Sequence, residues 1–217
     1  GSNPNTEPDI EIDMEDPIRL QYTGGTTGVP KGCVLTNKMV YTMGLRTAIW
    51  TTRNFTMVPR DRIVTLAAIP LNHVYGFNAN VGIALSGGGT IIVVPQPKPE
   101  ALLAEIIKNK PNIFAAVPAM FIGLLNTPEV KAGTADLSSL KGIFSGSAPC
   151  PTAVMEELEK LTGATIVEGY GMSETSNILT INPMDIRKAG SVGVAVPDTD
   201  IIVVDAADGK TVVPYGQ

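Results

Sequence analysis

The sequence predicts an α/β fold, a largely parallel sheet flanked by helices, and three observations carry that prediction. The apolar runs Ile63 to Ala68, Ile91 to Val94, Ile113 to Val117, Ala164 to Val167 and Ile201 to Val204 are short, β-branched and continuous. Continuous runs mark strands covered on both faces, as in a parallel sheet, whereas half-exposed strands alternate. Between these runs lie helical patterns, so strand and helix alternate along the chain. A length of 217 residues fits one domain or a small pair, and no repeat or interdomain linker interrupts it.

Residues 1–17 read as an extended acidic lead-in, with Gly1 and Ser2 as residues left by expression. The apolar-leaning Ile18 to Tyr22 then runs into a glycine-rich loop. From 63 to 97 there is no Asp, Glu, Lys or Arg, but Pro70, Asn72, His73, Asn78, Asn80 and the run Gly87 to Gly89 interrupt the stretch. It therefore lacks the roughly 20 apolar residues of a membrane span and reads as buried core. After the turn Pro97-Lys98-Pro99, Leu102, Leu103, Ile106 and Ile107 share one helical face while Glu100, Glu105 and Lys108 take the other. A second helix is predicted from Pro151, suited to a first turn, through the stripe Val154, Met155, Leu158 and Leu161 to Gly163.

Composition excludes several classes of function. Hydrophobic residues at 44% and charged residues at 17% rule out a disordered chain or a coiled coil. Residues 1–19 hold six acids against Arg19, and the remainder carries fifteen acids and fifteen bases, so the net charge of -5 belongs to the lead-in. The basic footprint of a nucleic-acid binder is missing, and an acidic lead-in repels an anionic membrane. Cys33 and Cys150 are far apart and the chain has one histidine, which argues against a zinc site or a disulfide framework. Both cysteines read as packing residues, and a reducing cytoplasm is the expected location.

Four segments could carry chemistry. In Tyr22-Thr23-Gly24-Gly25-Thr26-Thr27-Gly28-Val29-Pro30-Lys31-Gly32, glycines let amides approach an anion, threonines add hydroxyl donors and Lys31 adds a full charge. That equips a phosphate cradle, although it departs from the Walker pattern at Pro30 and Gly32, and a plain glycine-rich turn is the alternative. Glu168-Gly169-Tyr170-Gly171-Met172-Ser173-Glu174-Thr175 follows a strand, where α/β sheets bind ligands. Tyr170 offers a flat face for a purine, and Ser173 with Glu174 suits a phosphate and its Mg2+, against the alternative of a structural turn. A nucleophile elbow is discounted because Thr175 stands where glycine is needed. His73, in Pro70-Leu71-Asn72-His73-Val74-Tyr75-Gly76, reads as a site residue or a core histidine. Phe144-Ser145-Gly146-Ser147-Ala148-Pro149 reads as a ligand loop or a turn into the second helix.

In this order the four segments resemble the core motifs of the adenylate-forming superfamily: acyl-CoA synthetases, nonribosomal-peptide adenylation domains and luciferases. The glycine loop, with Gly24 where many members have serine, and the region Val117 to Glu168 look like the long-chain fatty acyl-CoA ligase branch. The resemblance implies that a carboxylate, expected to be a fatty acid, reacts with Mg-ATP to give acyl-AMP, and that CoA then displaces AMP. It places Thr23, Gly24, Gly25, Thr26, Thr27, Gly28 and Lys31 on the β and γ phosphates, and Tyr170 on adenine with Gly146, Ser147, Ala148 and Gly169 around it. It assigns Glu174 to Mg2+, Ser173 to the α-phosphate, and His73 to the border of the acyl-carboxylate pocket and thiol entrance. Lys31, His73, Ser173 and Glu174 are thus the expected catalytic set. The family's ribose-binding aspartate and C-terminal lysine have no counterpart here. Residues 18–217 accordingly read as an AMP-binding core fragment, truncated at both ends, from the central part of the large N-terminal domain of such an enzyme. Alone it is expected to be inactive and to self-associate through exposed apolar surface. The alternatives are adenylation of an aryl or amino acid, and a nucleotide-binding module without chemistry.

Overall fold

A computed structural model describes residues 6, 9–23, 29–54 and 58–214. The first unit is a two-stranded antiparallel hairpin, β1 (Pro17–Thr23) and β2 (Lys31–Thr36), with Thr23 opposite Lys31 at the stem of the glycine loop. It leads into α1 (Asn37–Asn54), whose start is well tied. The Thr36 hydroxyl accepts from Met39 N–H, and the Asn37 and Lys38 amides donate to the Asp16 and Met14 carbonyls at 3.0 and 2.8 Å. The end of the acidic lead-in thus sits at a helix N-terminus, where negative charge is favoured.

The remaining strands form one sheet of seven in the order β4-β3-β5-β6-β7-β8-β9. Parallel to one another run β3 (Val64–Ala67), β4 (Thr90–Val93), β5 (Ile113–Ala116), β6 (Gly142–Ser145) and β7 (Thr165–Met172). The last two, β8 (Asn177–Ile181) and β9 (Val194–Ala195), are antiparallel additions. The chain steps outward from β3 to β4, then reverses towards β5, β6 and β7. With right-handed crossovers that reversal puts the connecting helices on opposite faces.

Burial follows this division. On β5, Phe114 and Ala116 enter the core cluster built with α4 (Pro99–Asn109), α5 (Pro118–Leu125) and α7 (Thr152–Thr162). Ile113 and Ala115 enter a second cluster on the other face, with Ala79, Ile83 and Trp50. Strand residues alternate in direction, so a continuous apolar run serves both cores at once. The α4 and α7 stripes are buried through Leu102, Leu103 and Ile106 and through Met155 and Leu158, while Ile107 and Leu161, expected on the same faces, stay exposed at the stripe edges, and α7 ends at Gly163 in the left-handed conformation. Pro151 precedes the helix rather than opening its first turn. A short α6 (Pro128–Lys131) completes the β5–β6 crossover.

The β3–β4 crossover is a nearly continuous helix. It begins as α2 (Val74–Gly76), widens into a π-helical turn over Phe77–Gly82 and ends as α3 (Ile83–Gly87). Two buried asparagines serve the widened region. Asn80 Nδ2 donates to the Gly76 carbonyl at 2.9 Å, and Asn78 Nδ2 to those of Val74 and Ser176 at 3.1 and 2.8 Å. One expected strand is corrected: Ile201 to Val204 is not a buried strand. Ile202 is 70% exposed, and the segment contributes only an isolated bridge from Val204 to Val212. Asp200 and Asp205 flank the run, and among the described residues no helix covers it. Among the described residues no helix is long and apolar enough to cross a membrane.

Candidate active site

Beside the C-terminal ends of β6 and β7 the chain forms a cavity of about 280 Å³. Its floor rests on Tyr75, whose hydroxyl donates to the Phe144 carbonyl at 2.9 Å and lies 3.3 Å from that of Ala116. Burial pushes this hydroxyl's pKa up, which keeps it a donor. Its ring lies under Gly146, where an added Cβ would come within 3.1 Å of it. Beyond Gly146 the backbone takes a left-handed turn at Ser147, φ 68°, a conformation L-residues avoid and functional loops often hold. The loop is also held from β7. Glu168, buried, accepts the Cys150 N–H at 2.9 Å through Oε1, while its Oε2 is buried without a partner among the described residues.

The second wall is the β7–β8 hairpin. A bulge between Tyr170 and Gly171 re-aims the strand, and Tyr170 stays half exposed at the cavity. Gly171 is obligatory here, because a Cβ would fall 1.9 Å from the Asn177 carbonyl oxygen. The turn Ser173–Thr175 then folds tightly into left-handed Ser176. Thr175 holds it, its hydroxyl accepting from Met172 N–H at 3.3 Å and lying 3.0 and 3.1 Å from the Met172 and Asn177 carbonyls. Thr175 is thus a clamp on this turn, which agrees with discounting a nucleophile elbow.

His73 is neither core nor remote. It is exposed at the cavity rim and caps α2, its Nδ1 accepting from Tyr75 N–H at 3.2 Å. That bond leaves Nε2 as the protonated nitrogen of the neutral ring. Partial desolvation at the rim and the Arg19 guanidinium hold its pKa below the ordinary histidine range. Arg19, on β1, donates to the Asn72 carbonyl at 2.8 Å and packs 5.0 Å above the Phe77 ring. The hairpin is anchored again at Cys33, whose thiol lies 3.7 Å from the Ser173 carbonyl and is pushed up in pKa by burial and by the Glu174 carboxylate.

His73, Gly146, Ser147, Gly169, Tyr170 and Ser173 therefore line one cavity. Ala148 is exposed outside the lining, as is Glu174 on the turn beside Cys33. Thr23 and Lys31 stand at the two stems of the glycine loop, joined by a 3.4 Å contact from the Thr23 hydroxyl to the Lys31 carbonyl. Gly24, Gly25, Thr26, Thr27 and Gly28 lie outside the described residues. Sequence reasoning missed Arg46 and Trp50 on α1, the structural roles of Tyr75 and Glu168, and Arg19. Of these only Tyr75 and Glu168 stood inside segments already singled out. No cluster of three metal-ligating side chains occurs among the described residues. An exposed carboxylate such as Glu174 fits a Mg2+ that arrives on nucleotide phosphates, which would supply most of its oxygen ligands.

The arrangement defines a class. A family model described as AMP-binding enzyme matches residues 2–217, and the chain belongs to that family. It is 38% identical over 207 residues, 94% of this chain and 36% of the relative, to a long-chain-fatty-acid–CoA ligase of Bacillus subtilis strain 168. Among solved structures it resembles an anthranilate CoA ligase in complex with anthranoyl-AMP, at a TM-score of 0.82 and 26% identity, over 94% of this chain and 38% of that one. A long-chain-fatty-acid-CoA ligase from Archaeoglobus fulgidus matches at a TM-score of 0.79 and 29% identity, over 94% and 41%. The chain spans little more than a third of the length of the curated relatives it matches.

Proposed function

We infer that this chain forms the nucleotide-binding centre of a ligase that activates a fatty acid, first to acyl-AMP and then to acyl-CoA. The observation that carries the reading is the shared cavity. The residues expected around adenine and the α-phosphate, Ser147, Gly169, Tyr170 and Ser173, border the same space as the apolar Ala79, Ile83, Ile178 and Val196. A nucleotide and an aliphatic acid can therefore meet at the turn that follows β7. The fatty-acid ligase names of the relatives support the choice of acid.

In this mechanism a carboxylate oxygen attacks the α-phosphorus of Mg-ATP, and the bond to the bridging oxygen breaks, with its electron pair leaving on pyrophosphate. The CoA thiolate sulfur then attacks the acyl carbonyl carbon, and AMP leaves. Lys31, Thr23 and the glycine-loop residues stabilise charge on the departing phosphates, and Ser173 meets the α-phosphate. Glu174 would hold the Mg2+ carried by ATP, which would offset charge on the phosphates, and Tyr170 packs on adenine. His73, neutral and with Nε2–H available, orients the acid's carboxylate at the rim by hydrogen bonding. An ATP- and CoA-consuming reaction of this kind belongs in the cytoplasm.

The test is exchange of radiolabelled pyrophosphate into ATP by the full-length enzyme. Exchange that depends on added fatty acid is the expected result. Exchange absent with every acid offered would leave a nucleotide-binding module and no more.

A further inference from the structure

The hydrogen bonds around His73 are almost all local. Its N–H donates to the Pro70 carbonyl at 3.0 Å, its carbonyl accepts from Phe77 N–H at 3.0 Å, and its Nδ1 accepts from Tyr75 N–H at 3.2 Å, all within four residues of chain. Among the described residues, the hydrogen bonds that tie Leu71, Asn72 and His73 to another part of the fold all come from Arg19 on β1. An exposed loop with so few ties opens at low free energy, so whatever holds it also decides where the imidazole points.

Arg19 grips the loop on both sides of that imidazole. Its Nη2 donates to the Asn72 carbonyl at 2.8 Å, with the Leu71 carbonyl at 3.5 Å, and its guanidinium carbon lies 5.0 Å from the centre of the Phe77 ring. Asn72 precedes His73, and Phe77 follows it by one helical turn. Only a planar cation can offer an N–H edge to a carbonyl and a face to an aromatic ring together, which a lysine ammonium cannot do. The hairpin does not depend on this grip in return. β1 is paired along its length with β2, and β2 is tied to the Ser173 turn through Cys33. Loss of Arg19 therefore frees the His73 loop and leaves the hairpin a second tie. Desolvation at the rim and then the same guanidinium disfavour the imidazolium, which keeps the ring a neutral Nε2–H donor.

We propose that Arg19 is a positioning residue for His73: by holding the carbonyl before it and the ring one turn after it, Arg19 fixes the direction in which Nε2–H meets the carboxylate of the incoming acid. The proposal rests on the reading of the site as a carboxylate-activating centre and adds to it a residue from outside the cavity lining. Arg19 touches neither acid nor nucleotide. It acts through the histidine, and so on the acid alone.

The experiment measures pyrophosphate exchange by the full-length enzyme with palmitate, in the unaltered protein, Arg19→Met and Arg19→Lys. In Arg19→Met, KM for palmitate should rise by about three- to tenfold, up to the worth of one hydrogen bond to a carboxylate. The kcat and the KM for ATP should stay within about twofold, the pattern of lost binding alone. Arg19→Lys, which keeps the charge without the stacked fork, should fall between. In a His73→Ala background Arg19→Met should add nothing, since a residue that acts through another has no effect once the other is gone. Nitrogen NMR of the one histidine reads the same contact without turnover: the unaltered protein should hold the Nε2–H tautomer, and Arg19→Met a mixture of the two. An unchanged KM for palmitate in a folded Arg19→Met, an equal rise in the KM for ATP, an additive effect in the His73→Ala background, or a single tautomer in both proteins overturns the proposal. If Arg19→Met fails to fold, Arg19→Lys is judged by the same criteria. Exchange with no acid at all removes the carboxylate-activating reading instead, and the tautomer still decides whether Arg19 holds His73.

Discussion

His73 is the one histidine in the chain, so its titration can be followed without interference. Burial and Arg19 both disfavour the imidazolium, so its midpoint should fall below 6.5, and Arg19→Met should move it back up. NMR of the ring protons in the two proteins measures this, and a midpoint at or above 6.5 in the unaltered chain would contradict the geometry. The sign for stability follows. A folded-state pKa below the unfolded one gives stability that is complete above the unfolded value near 6.5 and is lost as pH falls towards the folded value. Glu174 gives a second test at this scale. If Glu174 holds Mg2+ as proposed, its replacement by alanine in the full-length enzyme should lower adenylation far more than acid binding, since a metal ligand would support charge at phosphate and the acyl pocket is mainly apolar. Pyrophosphate exchange and calorimetry separate the two, and equal losses would argue against the metal role.

Among the elements, the loops that frame the cavity are held by few groups. Tyr75→Phe removes the donor that spans the ends of β5 and β6 and should cost about 1 to 3 kcal/mol, read as a lower midpoint in urea. Gly171→Ala should cost about 3 kcal/mol, near the top of the common range, because its Cβ would strike the Asn177 carbonyl and force the β7–β8 hairpin apart. A loss below 1 kcal/mol would mean that the hairpin yields at little cost. These elements also show what the sequence made legible. Strands β3, β4, β5 and β7 were visible as continuous apolar runs, which burial on both faces leaves, and Phe114 beside Ala115 records that directly, whereas β6, bounded by Gly142 and Ser145, did not stand out as such a run. The β1–β2 hairpin and β8 were not visible either, being short and mixed in polarity. The widened helix from Val74 to Gly87 hid behind Asn78 and Asn80, polar residues that a helix buries only because its own carbonyls receive them. Ile201 to Val204 misled because apolar text carries no record of whether another element covers it.

At the scale of the molecule, the site is assembled from distant parts. The glycine loop, His73, the Ser147 turn and the β7–β8 hairpin were each readable because each is a local motif. Arg46 and Trp50 were not, since a helical arginine or tryptophan acquires meaning only when the fold sets α1 against β9. The hairpin β1–β2 stands outside the main sheet and is tied to it by Arg19 at the His73 loop and by Cys33 at the Ser173 turn. Units with few tertiary ties open at lower free energy than core strands, so the β1 and β2 amides should exchange with deuterium well before those of β5 and β6. Uniform protection across both would show the hairpin to be part of the main cooperative unit.

Two of the contacts that close the cavity join residues remote in sequence, Cys33 to Ser173 across 140 positions and Arg46 to Asp198 across 152. Closing such loops carries an entropic cost that neighbouring strands do not meet, and contacts of long separation are slow to form. The history of a refolding molecule is thereby written into its architecture. The β5–β6 layer, whose strands are far closer in sequence than these pairs, can assemble while α1 still searches for its seat, and in that interval the chain is ordered but blind to ligand. Pulse labelling of the β5 and β6 amides should accordingly run ahead of the recovery of Trp50 fluorescence, leaving a window in which a protein already folded at its centre has yet to acquire its site.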